Sequence, residues 1–204
     1  GVANGVVLLS GPKADVLRST PASFSVREFP GHAILPGLVN AHTHLHIPRY
    51  LDNGPESFKM PESFVDWLLQ VVAWRLQPSP PPFPDILRSS TEEALSCGTT
   101  SVGEIASSDL SSYASFPMRG RIFAEGIGFY PEAAPVLQEI VREAILRLEG
   151  ISVVNPLVVP GVAPHTLYTV SAELLRSMGS LSVSRKVPTS LHLAESQAEI
   201  EFLE

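Results

Sequence analysis

The sequence has little cysteine and lysine and lacks any hydrophobic run long enough to cross a membrane. The single cysteine, Cys97, excludes an intrachain disulfide and favours a reducing compartment, so we expect a cytoplasmic protein. No basic segment followed by an apolar stretch marks the first residues as a signal peptide. A net charge of −7, without any cluster of basic residues, argues against binding to a phosphate backbone. We therefore expect neither a membrane nor a nucleic acid as a partner.

The composition that remains is that of a globular enzyme. The 204 residues are 44% hydrophobic and 17% charged, which allows a substantial core in one domain or slightly more.

Strand and helix patterns alternate along the chain from residue 36 onward. Strands are predicted near 36–44, 99–105, 120–128, 156–163 and 187–193. Helices are predicted near 61–77, 84–97, 131–149, 171–179 and 196–204. Such alternation predicts a parallel sheet with right-handed crossovers, and in a closed (β/α) barrel the chemistry lies at the carboxyl ends of the strands.

The end of the first of these strands carries two histidines, His42 and His44. Side chains alternate across a strand, so residues two apart point to the same face and can form half of a divalent metal site. The alternative is a pair of polar histidines near a strand end whose hydrogen bonds are satisfied without a metal.

A second motif far along the chain can complete such a site. His192 ends the last predicted strand, and Glu195 lies three residues later, where a helix begins. His192 can supply a third imidazole, while Glu195 can reach water at the metal without being a ligand. The alternative for Glu195 is an acid in the first turn of a helix, which the helix dipole favours.

These motifs resemble the amidohydrolase superfamily. Within it, they resemble the branch of aromatic-ring deaminases and chlorohydrolases, which includes deaminases of S-adenosylhomocysteine, methylthioadenosine and aminodeoxyfutalosine. The segments that carry the resemblance appear in the family's order: PGLVNAHTHLH (36–46), FVDWLL (64–69), CGTTSVGE (97–104), RGRIFAEGIGF (119–129), APHTLYTVSAELL (163–175) and LHLAES (191–196).

The resemblance implies an α/β fold, a metal-dependent (β/α)8 TIM barrel, of which this chain holds about five units. Residues 1–35 are expected to be part of a small β-sandwich, and 36–204 the first part of the barrel. The family places a further histidine after strand six and a metal-binding aspartate after strand eight, and neither occurs in this sequence. We therefore expect the chain to be the N-terminal half, with the remainder of the barrel as its partner. A homodimer stays open.

Two further residues are candidates for substrate binding. His165 lies at a predicted strand end, where the resembling deaminases use a histidine to contact or orient substrate, although Thr166-Leu167 departs from their usual Ala-Pro. A loop histidine bonded to backbone is the alternative. Glu125 can bond a substrate hydroxyl or amine, or it can be a structural acid. The same two interpretations apply to Glu104, with the structural acid favoured. His46 is expected near the pocket rather than as a ligand.

The number of metal ions follows from the lysines. Amidohydrolases with two metals usually bridge them with a carboxylated lysine after strand four, but the only lysines are Lys13, Lys59 and Lys186. One divalent metal is therefore expected, Zn²⁺ or alternatively Fe²⁺. The resemblance implies a hydrolase of C–N bonds that deaminates a purine-type nucleoside. The alternatives are chlorohydrolase or other amidohydrolase activity on a nitrogen heterocycle, and an inactive truncated homologue that serves as a binding module.

Overall fold

The computed structural model of the chain describes residues 1–47, 61–76, 82–106 and 109–204. These residues fall into two compact units, 1–36 and 37–204. Within the described residues, no helix combines the length and the apolar character needed to span a membrane.

The first unit contains a minimal hairpin and one short helix. Strands β1 (Val2–Ala3) and β2 (Val6–Val7) pair antiparallel, and both residues of the connecting Asn4-Gly5 have positive φ, as a tight hairpin turn requires. Helix α1 (Lys13–Arg18) follows. Residues 24–29, whose apolar and β-branched side chains are typical of a strand, form no strand here. The assignment of this unit to a β-sandwich stays a prediction.

The second unit is built on four parallel strands that lie side by side in sequence order. They are β3 (Leu38–Thr43), β4 (Thr99–Ala106), β5 (Arg119–Gly126) and β6 (Val158–Pro164). Each lies within about two residues of its predicted range, and the predicted parallel α/β sheet is confirmed.

The fifth predicted strand is present only as separate bridges beside β6. Thr189 pairs with Val162, and His192 pairs with Thr166, both in parallel. A regular ladder is interrupted here because Pro164 and Pro188 lack the backbone N–H that a ladder uses. The segment nevertheless runs along β6, so it extends the sheet by one position.

All five predicted helices are present, and each begins within three residues of its predicted start, but the helices predicted at 131–149 and 171–179 end later, at residues 154 and 185. The helices are α2 (Phe64–Arg75), α3 (Phe83–Ser96), α4 (Ala134–Val154), α5 (Ala172–Arg185) and α6 (Gln197–Leu203). Short 3₁₀ turns cover Leu110–Ser115 and Pro131–Ala133. Serine hydroxyls accept the N–H three residues later at the starts of α2, α5 and α6, which satisfies free backbone donors there.

Apolar side chains line both faces of the sheet. The larger cluster joins α4 and α5 to one face, and its fully buried members include Ile122, Ile145, Leu148 and Leu174. The opposite face carries a smaller cluster from three neighbouring strands, Ile105, Phe123 and Ala163. Helices on one face and a layer of strand side chains on the other are the arrangement of a (β/α) barrel.

Candidate metal centre

The first histidine pair lies at the end of β3, where that strand carries a bulge. Asn40 pairs with Val102, but Thr43 pairs with Glu104, so three steps along β3 oppose two along β4. The side-chain oxygen of Asn40 accepts the backbone N–H of His42 at 3.2 Å across this irregularity. A bulge redirects side chains, so the aim of the pair depends on more than simple alternation.

Three imidazoles come together at this end of the sheet. His192 Nε2 lies 2.9 Å from His42 Nε2 and 3.0 Å from His44 Nε2. One ligand atom from each histidine lies within 4.8 Å of those of the others. Two ligands at about 2.0–2.1 Å from a metal are roughly 2.9–3.4 Å apart at angles of about 90–109°, so these residues fit a divalent cation. The structure therefore brings together the three histidines that the sequence proposed.

The hydrogen bonds of the Nδ1 atoms determine whether the Nε2 atoms carry a free lone pair toward the point where the three rings converge. His192 Nδ1 donates to the carbonyl of His165 at 2.9 Å, which leaves its Nε2 unprotonated in the neutral ring. His42 Nδ1 lies 3.3 Å from the Ser190 hydroxyl. His44 Nδ1 is buried without a hydrogen-bond partner among the described residues. The Nε2 atoms are thus the available ligand atoms.

Burial keeps two of these imidazoles neutral. It lowers the pKa of His44 to about 3, with the charges of His46, His192, His42 and Arg75 adding to the effect. Burial, and then the charge of His192, also lowers the pKa of His42. Because a metal binds only the neutral imidazole, a lowered pKa favours coordination near neutral pH.

The turn after His192 presents Glu195 at the start of α6. Ala194 has a φ of +53°, which is unusual for a residue other than glycine. The backbone N–H of Glu195 donates to Glu199 Oε2 at 2.8 Å, and Ser196 Oγ accepts the N–H of Glu199 at 3.2 Å. The side chain of Glu195 is exposed. A strained turn and a capping arrangement therefore fix the backbone of Glu195 three residues beyond His192.

The two predicted substrate-binding residues lie next to the histidines. The rings of His165 and His192 are 5.0 Å apart, and His165 Nε2 is 4.0 Å from Glu125 Oε1. Burial lowers the pKa of His165 to about 4, helped by the charges of His192 and Arg75. The side chain of Glu125 is 1% exposed, and neither of its oxygens has a hydrogen-bond partner among the described residues. Burial raises the pKa of Glu125, although the charges of Arg75, His46 and His192 oppose the shift.

Sequence reasoning did not identify Arg75, the last residue of α2. Its Nη2 lies 2.8 Å from His46 Nε2, and its charge acts on His44, His165 and Glu125. Nothing in the helical pattern distinguishes Arg75 from an ordinary basic residue in a last turn. His46 itself is buried, in agreement with its predicted place near the pocket.

The parallel sheet, the helices on one face and a histidine cluster at the strand ends define an amidohydrolase-type barrel. The sequence model of the Amidohydrolase family matches residues 33–204, and the chain belongs to this family.

Individual relatives agree with this assignment. Over 204 residues the chain is 28% identical to a 5-methylthioadenosine/S-adenosylhomocysteine deaminase of Nitratidesulfovibrio vulgaris, covering 97% of this chain and 44% of that protein. The crystal structure of Helicobacter pylori aminofutalosine deaminase in complex with methylthio-coformycin superposes with a TM-score of 0.65 at 24% identity, covering 83% and 40% of the two chains. An atrazine chlorohydrolase of Arthrobacter aurescens complexed with zinc gives 0.54 at 19% identity, covering 78% and 40%. The chain thus spans less than half the length of these relatives.

Proposed function

We propose that this chain is the N-terminal half of a metal-dependent hydrolase that removes an amino group from a purine-type ring. The observation that carries the proposal is the convergence of the Nε2 atoms of His42, His44 and His192. Three imidazoles with open positions beside them are typical of catalytic rather than structural zinc sites. We assign the three histidines as ligands of one divalent cation, Zn²⁺ in the first instance and Fe²⁺ as the alternative. Further ligands come from the part of the barrel outside this chain.

The three histidines would hold the cation, and a bound divalent cation would supply one kind of chemistry here: it would lower the pKa of water to about 7. Glu195 serves as general base and then general acid: it takes a proton from the attacking water and delivers it to the leaving nitrogen. The overall reaction converts a ring C–NH₂ and water into a ring carbonyl and ammonia. The fixed backbone of Glu195 supports this role, because a proton carrier has to be held within reach of both atoms.

We assign His165 and Glu125 to substrate binding. Both lie beside the histidine cluster, and the low pKa of His165 makes its ring a neutral donor or acceptor. Glu125 offers two buried acceptor oxygens that have no partner among the described residues. A substrate amine or hydroxyl that donates to Glu125 satisfies this otherwise costly buried acid.

The substrate class is proposed from the relatives. A methylthioadenosine/S-adenosylhomocysteine deaminase matches nearly the whole chain, and an aminofutalosine deaminase shares its fold, so an adenine-bearing nucleoside or thioether is the first candidate. The second candidate is dechlorination of a nitrogen heterocycle, because the fold of atrazine chlorohydrolase is also similar. A binding module without catalysis is the third. A location in the cytoplasm stays a prediction.

One experiment separates these three functions. The full-length protein is purified, its bound metals are quantified, and it is incubated with methylthioadenosine, S-adenosylhomocysteine, adenosine or atrazine. We expect about one divalent metal per chain and release of ammonia from an adenine-bearing substrate. Chloride release from atrazine without ammonia release would favour the chlorohydrolase. A metal-free protein without either activity would overturn the enzyme in favour of the binding module.

A further inference from the structure

Four polar side chains form a hydrogen-bond network next to the His42–His44 pair: Arg75, His46, Glu104 and Tyr113. Glu104 is fully buried and accepts the backbone N–H of Leu45 at 2.8 Å and the hydroxyl of Tyr113 at 3.0 Å. His46 Nδ1 lies 3.4 Å from Glu104 Oε1, and its Nε2 lies 2.8 Å from Arg75 Nη2. Leu45 and His46, which Glu104 contacts, follow directly after His44 in the sequence.

The position of Glu104 in the strand prevents it from entering the site. Ile105 belongs to the apolar layer on the inner face of the sheet, so the neighbouring side chain of Glu104 points to the opposite face. In the register of the sheet Glu104 pairs with Thr43, which lies between the two histidines. Glu104 is therefore not a ligand of the candidate metal centre, and its hydrogen bonds connect it to the backbone that follows His44.

The donors and acceptors in this hydrogen-bond network are consistent with one another. The guanidinium of Arg75 only donates, so His46 Nε2 accepts and its proton is on Nδ1, directed at Glu104. Tyr113, itself fully buried, donates to the same Glu104 oxygen that faces His46. Three donors from two segments thus converge on one carboxylate: Leu45 and His46 from the segment after β3, and Tyr113 from the 3₁₀ turn.

A buried acid is costly, and an apolar side chain of similar size can often replace it without loss of stability. Burial raises the pKa of Glu104, and the hydrogen bonds from His46, Leu45 and Tyr113 oppose that shift. Filling the core therefore does not explain why position 104 holds an acid. Fixing the backbone after His44 by hydrogen bonds does explain it.

We propose that Glu104 is a positioning residue for the metal centre, fixing the backbone after His44 and, through His46, the guanidinium of Arg75. This inference rests on the proposed function, because it presumes that the three histidines bind a metal. Outer residues that orient metal ligands typically change metal affinity by about 10–100-fold when they are replaced. Glu104 acts on the His42–His44 pair in this way, from outside the coordination sphere.

The test compares Zn²⁺ affinity, measured by competition with a chelator, in the full-length protein and in Glu104→Gln. The amide keeps one acceptor oxygen for Leu45, but its NH₂ group meets a donor from His46 or Tyr113. We expect Zn²⁺ to bind at least about tenfold more weakly. We also expect the visible absorption bands of the Co²⁺-loaded variant to shift, because they report ligand geometry. Thr91→Val is the control, since Thr91 is also buried but its hydroxyl donates to the carbonyl of Leu87 within α3.

Loss of stability alone does not reproduce this pattern, because Thr91→Val is expected to keep Zn²⁺ affinity and the Co²⁺ spectrum unchanged. If Glu104→Gln fails to fold, Tyr113→Phe removes a single donor to Glu104 and is expected to shift both readouts less, in the same direction. Unchanged Zn²⁺ affinity and an unchanged Co²⁺ spectrum in the folded variant would overturn the positioning role. A wild-type protein that binds no Zn²⁺ would instead overturn the proposed metal centre, and this inference with it.

Discussion

The Nε2 atoms of His42 and His192 lie 2.9 Å apart, although 150 positions separate these residues along the chain. His42 belongs to β3, at one edge of the four-stranded sheet, and His192 belongs to the segment that runs beside β6 at the other edge. Side chains from the two ends of a flat sheet of this width cannot meet, because neighbouring strands are about 4.8 Å apart. The contact therefore requires the sheet to curl, as it does in a barrel.

The first prediction concerns removal of a metal ligand. In the full-length protein we expect His42→Ala or His192→Ala to reduce bound Zn²⁺ from about one ion per chain to near zero, because two imidazoles hold the ion far more weakly than three. Elemental analysis of the purified variants measures this. His32→Ala is the control, since the exposed ring of His32 bonds the Pro30 carbonyl and lies beside Phe29 within the first unit. Full metal content in His42→Ala would exclude His42 as a ligand.

The second prediction separates proton transfer from metal binding. We expect Glu195→Gln to keep its metal and to lose roughly 10²–10⁴-fold in turnover, because the amide cannot carry a proton. Ammonia release and metal content are measured on the same samples. Glu201→Gln, an exposed change on α6, is expected to be as active as wild type. Near-normal turnover by Glu195→Gln would show that another group moves the proton.

The third prediction concerns the strained turn that presents Glu195. Ala194→Gly relieves a left-handed conformation worth about 1–2 kcal/mol and costs about 0.5–1 kcal/mol of chain entropy, so we expect stability within about 1 kcal/mol of wild type. Ala194→Val cannot easily adopt this φ, and we expect it to lose about 1–3 kcal/mol and to lower turnover by moving Glu195. Urea unfolding and ammonia release measure the two effects. Equal stability of Ala194→Val and wild type would show that the turn is not constrained.

Much of the fold could be predicted from local patterns. The apolar runs and turn residues placed β3 to β6 and five helices, because periodicity depends on neighbours in sequence. The strands were predicted to end near His44, Glu104 and His165, and the parallel sheet brings those ends to one side. The roles of these residues stay predictions.

The rest depended on contacts between distant segments. The bulge before His42 is set by the register against β4, which no single strand encodes. The expected strand at 187–193 is interrupted where two prolines, Pro164 in β6 and Pro188 in the neighbouring segment, leave the ladder without backbone donors. Arg75 meets His46 across 29 positions, so no local spacing could have paired them. Such features depend on the three-dimensional arrangement of the sheet and cannot be found in any single segment of the sequence.

The last prediction concerns the buried acid Glu125, whose oxygens have no hydrogen-bond partner among the described residues. Burial raises its pKa, so the folded protein holds the proton more tightly than the unfolded chain, in which a glutamate titrates near about 4.3. The favourable contribution to stability is therefore complete below about pH 4.3, and it is lost as the pH rises through the folded pKa. Ionisation of the buried carboxyl at high pH destabilises the wild type, and Glu125→Gln cannot ionise. We expect Glu125→Gln to unfold at higher urea than wild type at pH 8, with the difference shrinking toward pH 4.

Because a hydrogen bond to a charged group is lost in Glu125→Gln, we also expect the KM for the substrate to rise about tenfold or more. Glu143→Gln, an exposed change on α4, is the control and should alter neither quantity. Equal stability of Glu125→Gln and wild type at pH 8 would mean that the Glu125 carboxylate has a partner in the complete protein.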